Sequence, residues 1–416
     1  MLFESNYRYN NLMNDVIRKL FPPLLSLIIL MMASAIFSTF VSLRLEAEGF
    51  GKHTIGIVAA SAYGGILLGS LYADRWIQRF GHLISFAQFI TGLAVVVMAQ
   101  SLWIDSWYWA VLRFAGGMCM AGIFVAVESW LLILSPADLR GRVLSLYLAL
   151  FYGGLSSGQL LIHVCDTLGS SPFWLSGGLT LASLIPLLFC KAARPKMENT
   201  VRLNLIQVIR LSPLGFLGGV ISGILLAAIY GLVPLYGKGL GLQAGEIGNL
   251  MAMIVFGGLS LQWPLGRIAD RSDRKKVLNI SALFSAFFGL AIALFGPASK
   301  LLLMILGWLF GGFAFTIYPL SMAYTCENVK EDQIVAATGG FVLSYGIGAV
   351  FGPLIGPVAM HNFGGEGLFY FLGIVALFIP ICSWISSTAR TLPLEEVRKE
   401  SPRPDEKPPE KESSEI

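Results

Sequence analysis

Two residues sit where charge is costly. Arg113 and Glu128 both fall inside the apolar stretch 107–134 of a 416-residue chain that is 55% hydrophobic and 13% charged. An unpaired charge at mid-bilayer costs ~2.5–3.5 kcal/mol even on insertion-based scales, so such residues face a wet cavity or a partner. Fifteen residues separate them. That is about 22 Å of helix, too far for the two to pair with each other. A carboxylate in such a place can take up and release a proton or hold a charged group of a solute, so Glu128 and Arg113 are the candidates for proton coupling or substrate contact. The competing possibility is structural: Glu128 satisfied by Ser, Tyr or backbone donors, or paired with Arg79.

A second concentration of charge is "GRIADRSDRKK" at 266–276, between two apolar runs. A weaker copy, "DRWIQRFGH" at 74–82, stands 192 residues earlier. Five basic residues in the later copy can hold a turn on one side of a membrane, but Asp270 among them is not needed for that.

The elements that must position these groups are read from apolar runs of about 20 residues, each long enough to cross a ~30 Å hydrocarbon layer as a helix. Breaks at Gly, Pro and charge place twelve spans near 20–44, 54–73, 83–104, 107–134, 142–165, 172–190, 211–236, 246–265, 277–297, 300–325, 333–360 and 367–389. The first run is too long for the apolar region of a signal peptide, despite "ASA" at 33–35. With the N-terminus inside, inner segments carry twenty-four of the 29 Lys and Arg, and outer ones only Arg44, Lys52, Lys238 and Lys300. The positive-inside rule therefore puts both termini in the cytoplasm. The expected organisation is a cytoplasmic segment 1–19, a six-helix bundle 20–190, a central cytoplasmic loop 191–210, a second bundle 211–389 and a tail 390–416. The tail, with 13 charges and four prolines in residues 395–416, has too little apolar area to offset its ordering entropy and is expected to be disordered.

A shift of 192 lays Gly49 on Gly241, Gly56 on Gly248, Ala60 on Ala252, Gly65 on Gly257 and Arg79 on Arg271 without a gap. Two copies in the same orientation are the pattern of parallel repeats that rock about a central site. "GRIADRSDRKK" resembles the signature loop of the major facilitator superfamily, G-x-x-x-D-R-x-G-R-R/K, through Gly266, Asp270, Arg271, Arg274 and Lys275, with Asp273 in place of the second glycine. The first-half copy keeps Arg79 and Gly81 but has Gln78 where the aspartate belongs and His82 for an arginine. "RFAGGMCMA" (113–121) resembles the family's fourth-span pattern, and "RGR" (140–142) its following loop. "VES" (127–129), "QWPLGR" (262–267) and "CENV" (326–329) narrow the resemblance to the YcaD-type branch of bacterial facilitators.

The resemblance implies an all-α membrane protein with the major-facilitator fold, twelve transmembrane helices in two six-helix bundles related by a pseudo-twofold axis. It implies a secondary transporter working by alternating access, coupled to protons, with drug or metabolite efflux by proton antiport and a non-transporting receptor or scaffold as alternatives. It places a cytoplasmic gate at Gly266, Asp270, Arg271, Arg274 and Glu327, with Gln78, Arg79 and Gly81 as the first-half counterpart. This latch is expected to close when the cavity opens outward and to part when it opens inward.

"GAVFGPLIGP" (348–357) carries Gly348, Gly352 and Gly356 at four-residue spacing with Pro353 and Pro357. Such a stripe makes a flat packing seam, and proline loosens the backbone into a hinge. Tyr152, Gln159, Tyr230, Asn249, Gln262, Tyr318 and Tyr345 are the candidates to line the cavity. The scattered cysteines and histidines give no disulfide framework and no metal-ligand spacing. No cofactor is expected, nor is enzymatic activity, since paired aspartates or a Ser/His set within the spans are missing. The expected partners are a small-molecule substrate, protons and the lipid bilayer of a bacterial inner membrane, with no nucleic acid and a monomeric chain.

Overall fold

In hydrocarbon an unpaired backbone N–H or C=O costs several kcal/mol, and a helix satisfies both within one segment. The computed structural model describes residues 2–135, 140–166, 169–189, 212–327 and 334–390. Among these residues it has twelve helices long and apolar enough to cross a membrane. Their α-helical parts are α1 (Leu2–Ala47), α2 (Lys52–Phe80), α3 (His82–Ala99), α4 (Ser106–Leu134), α5 (Arg140–Leu160) and α6 (Ser171–Ala182), then α7 (Pro213–Gly239), α8 (Ala244–Arg271), α9 (Arg274–Phe295), α10 (Lys300–Glu327), α11 (Ile334–Asn362) and α12 (Gly367–Arg390). The expected central loop 191–210 and the tail beyond Arg390 lie outside the described residues.

Two boundaries differ from the sequence reading. The segment 1–19 is not separate from the first span, because α1 is one helix from Leu2 onward, through Pro22 and Pro23. The sixth span is broken: α6 stops at Ala182, and a short 3₁₀ helix, Ile185–Phe189, completes the crossing. Pro186, buried in that second piece, has no N–H to continue the ladder.

The packing repeats itself. In the first six helices α2 packs on α4, α1 on α5, α3 on α4, α1 on α6 and α3 on α6. In the second six the same list recurs six helices later: α8 on α10, α7 on α11, α9 on α10, α7 on α12 and α9 on α12. Two six-helix bundles of one topology result, joined chiefly through α2 with α11, α5 with α8 and α1 with α7.

Glycine makes the tightest of these contacts. A Cβ on Gly65 would fall on the Phe114 carbonyl, and one on Gly117 on the Ala62 carbonyl, so α2 and α4 touch backbone to backbone. Gly257 meets the Trp308 carbonyl and Gly311 the Ile254 carbonyl in the same way between α8 and α10. Ala62 and Ile254, like Gly65 and Gly257, are 192 residues apart, so the sequence repeat is a repeat of contacts. In α11 the stripe is also a seam: Gly348 and Gly352 lie against the Val220 and Ile224 carbonyls of α7, and Gly356 against the Leu232 side chain.

Replacing Gly257 with Val should force α8 off α10, an overpacking of about 1–3 kcal/mol or more, and lower the melting temperature of the detergent-purified protein. Gly266, inside α8 with open space around its missing side chain, should tolerate Ala and gain up to about 1 kcal/mol of helix propensity. Equal thermal shifts for the two variants would contradict this picture of the seam.

Candidate functional site

One end of the bundle carries the charged loop 266–276, and at the opposite end the two halves interlock. Gly56 of α2 sits under the Pro353 carbonyl and the Pro357 ring of α11. Gly248 of α8 sits against Ile162 and the Gln159 carbonyl at the end of α5. The Ser42 hydroxyl donates to the Gly231 carbonyl at 2.8 Å, and the Ser156 hydroxyl to the Ala252 carbonyl at 2.9 Å. The His163 Nε2 is 2.9 Å from the Asn249 Oδ1, and the rings of His53 and His361 face each other at 6.3 Å. Each of these contacts joins one half to the other.

Below this seam, toward the charged loop, lies a chamber walled by tyrosines. Tyr152 of α5 meets Phe315 of α10 edge to face at 5.5 Å, and Tyr230 of α7 meets the same ring at 5.9 Å. Tyr318 packs edge-on against Tyr345 at 5.1 Å and Phe341 at 5.2 Å. Tyr63 of α2 lies within electrostatic range of Tyr230 and Tyr345 of the second half. Tyr63, Tyr230, Tyr318 and Tyr345 are all partly exposed and thus line open space.

Glu128 stands in this wall. Its Oε1 accepts a hydrogen bond from the buried Tyr147 hydroxyl at 3.1 Å. It also lies within electrostatic range of Tyr318 from the other half. Solvent reaches the side chain although protein surrounds it. The possible pairing with Arg79 is not made, for that guanidinium lies over the Phe80 ring at 5.3 Å. Arg113, nearer the seam, lies over the Phe37 ring at 5.2 Å, within electrostatic range of Tyr63, and its buried Nε has no hydrogen-bond partner. A single carboxylate and a single guanidinium thus mark two levels of one aromatic chamber, on one helix.

Two of the expected lining residues make contacts at the seam. Gln159 is fully buried and accepts from the Thr39 hydroxyl at 2.7 Å, and Asn249 is the partner of His163, so both are held in the seam. They sit near the ends of α5 and α8, above the level of the tyrosines. Gln262 is half-buried on α8. The partly exposed Tyr63 and the buried Tyr147, which donates to Glu128, are site residues that the sequence reading missed. Tyr147 follows Glu128 by 19 residues on another helix, a separation that carries no periodic signal.

The charged loop solves one turn in two ways. In the first copy Gly81 turns between α2 and α3 at φ +84°, a conformation open to glycine and costly for other residues. In the second, Asp273 replaces glycine and caps α9 instead, its Oδ1 accepting from the Lys275 N–H at 2.8 Å and the Lys276 N–H at 3.4 Å. Arg274 joins Asp270 at 3.3 Å and Glu327 at 3.5 Å, tying α8, α9 and α10 together. Gly266 lies in open space, and Arg271 and Gln78 are exposed. These ion pairs exist alongside the closed seam. Both partners of Arg274 belong to its own half, so rocking of one half against the other does not by itself separate them.

The description "Major Facilitator Superfamily" matches this chain over residues 24–245 and 215–414. An "Uncharacterized MFS-type transporter YcaD" of Escherichia coli (strain K12 / DH10B) is 36% identical over 355 residues, which is 84% of this chain and 91% of the relative. Among solved structures, the nucleoside transporter NupG (D323A mutant) superposes with a TM-score of 0.74 at 12% identity, over 90% of this chain and 99% of the other. A D-xylose-proton symporter superposes at 0.71 with 16% identity, over 88% and 96%. At such identities the structural likeness concerns the fold. Family match, relative and architecture agree: this chain belongs to the major facilitator superfamily and is a multi-pass membrane transporter of the YcaD type.

Proposed function

We propose that this transporter is a secondary active carrier that moves a small solute by alternating access, driven by protons, in a bacterial inner membrane with both termini cytoplasmic. The rocking units are the halves 20–190 and 211–389, with Pro353 and Pro357 in α11 as the hinge. The observation that carries this reading is an asymmetry of access. The halves interlock at the end away from the charged loop, while Glu128 is open to solvent on the loop side. The positive-inside rule assigns the loop side to the cytoplasm, so this is the inward-facing state.

Glu128 is then the group that exchanges a proton as access alternates. The groups that face it are the phenols of Tyr147 and Tyr318; Arg113 is about 22 Å away along the same helix. In this reading Asp270, Arg274 and Glu327 brace α8 to α10 so that the second half moves as one body. Hydrogen bonds such as Ser42 to Gly231 are individually worth about 0.5–1.5 kcal/mol, a strength suited to a seam that must reopen.

Purified protein in liposomes with an imposed pH gradient, screened against mixed metabolites, should give solute-dependent proton flux reported by an internal dye. Glu128→Gln should cut that flux at least tenfold and remove its pH dependence; unchanged coupling would clear Glu128 of the role. Asp270→Lys should lower flux about tenfold while leaving the protein in the membrane, and normal flux would dismiss the brace. A cysteine placed at 128 in a cysteine-free background should react with an impermeant maleimide from the cytoplasmic face in everted vesicles. One placed at Ala252, in the seam, should not react from that side. Flux that is absent across a broad screen would favour the receptor or scaffold reading instead.

A further inference from the structure

Glu128 has no cationic partner among the described residues. Its one hydrogen bond comes from a neutral phenol, and no ion pair to Lys, Arg or His is formed. Beside it are the hydroxyl of the buried Tyr147 on the first half and, within electrostatic range on the other half, Tyr318, itself set against Tyr345 and Phe341. When ionised, a carboxylate at this depth without a cationic partner is costly, and the cost is removed by a proton or by a counter-charge that joins it.

The chemistry of the wall narrows what that counter-charge can be. A hard metal cation wants about six or more oxygen ligands, and one carboxylate among phenols does not supply them. A phosphorylated or carboxylated solute would meet repulsion from Glu128 at this level. Aromatic faces attract a weakly hydrated cation within about 6 Å of the ring centroid, and apolar rings favour a flat body beside the charge. We infer that the chamber binds a monovalent organic cation with an aromatic or flat apolar body, its charge on Glu128 and its body beside the partly exposed Tyr318. The inference rests on the chamber being the transport path, and it gives that path a solute class. Because Glu128 belongs to the first half and Tyr318 to the second, the same occupant touches both rocking units.

The test uses the full-length purified protein and three probes of one shape: 1-methylquinolinium, neutral 1-methylnaphthalene and anionic 1-naphthoate. Titration calorimetry in detergent should give affinity for the cation at least tenfold above that for the neutral probe, with naphthoate weakest. Glu128→Gln should lower cation affinity at least tenfold and leave the neutral probe unchanged, and Glu128→Asp should restore most of the loss. Tyr318→Leu should weaken cation binding severalfold where Tyr318→Phe does not, which keeps the test informative if one variant folds poorly. Equal affinity for cation and neutral probe, preference for the anion, or indifference of the cation to Glu128→Gln would overturn the inference. Solute-dependent proton flux in liposomes together with any of those results would sink the cation class and leave the transport reading standing. Selective cation binding without flux would do the reverse.

Discussion

Close backbone contact between helices is the constraint on which this architecture depends. Lipid tails are as apolar as leucine, so the hydrophobic effect does not press one helix on another within the membrane. What does so is van der Waals contact at short range, and that needs small residues. Gly65 with Gly117, and Gly257 with Gly311, let α2 lie on α4 and α8 on α10 with carbonyls where side chains would otherwise be. Gly348 and Gly352 do the same for α11 on α7. These contacts stay within a half and pack its helices closely.

The interface between halves is built from other material. Around the seam it uses single hydroxyl-to-carbonyl bonds, a histidine–asparagine pair and the prolines of α11 over Gly56. Farther in it uses ring edges, Tyr152 on Phe315 above all. Contacts of this kind are individually weak and can be exchanged for others, whereas a glycine seam is lost outright when helices separate. The difference between the packing within a half and the packing between halves is therefore written in residue type. Its two faces meet on one helix, α11, whose glycines bind it to its own half and whose prolines meet the other.

The charged loop shows how two copies of a motif can diverge and keep one geometry. Gly81 reaches the turn through backbone freedom, Asp273 through a helix cap. The second copy gains from the exchange a carboxylate beside Asp270 and the basic cluster, and there Arg274 finds partners on two helices. The first copy, with Gln78 in the aspartate's place, has its arginine over a phenylalanine ring.

The sequence by itself determined the number of crossings, the two-copy organisation and the rare charges of α4. Those follow from hydrocarbon thickness, from a shift that superimposes glycines, and from the cost of charge in lipid, and each is local or periodic along the chain. It located Glu128 but not its partner, because Tyr147 lies on another helix at a separation without periodic meaning. It grouped Gln159 and Asn249 with the tyrosines, because polar residues in mid-span look alike until their depth is known. Only the tertiary structure decided that those two meet partners in the seam while Tyr147 and Tyr318 come beside the Glu128 carboxylate and Tyr63 beside Arg113. The physical reason is that depth, facing and access arise from how twelve helices tilt and pack, and residues far apart along the chain share in each of them.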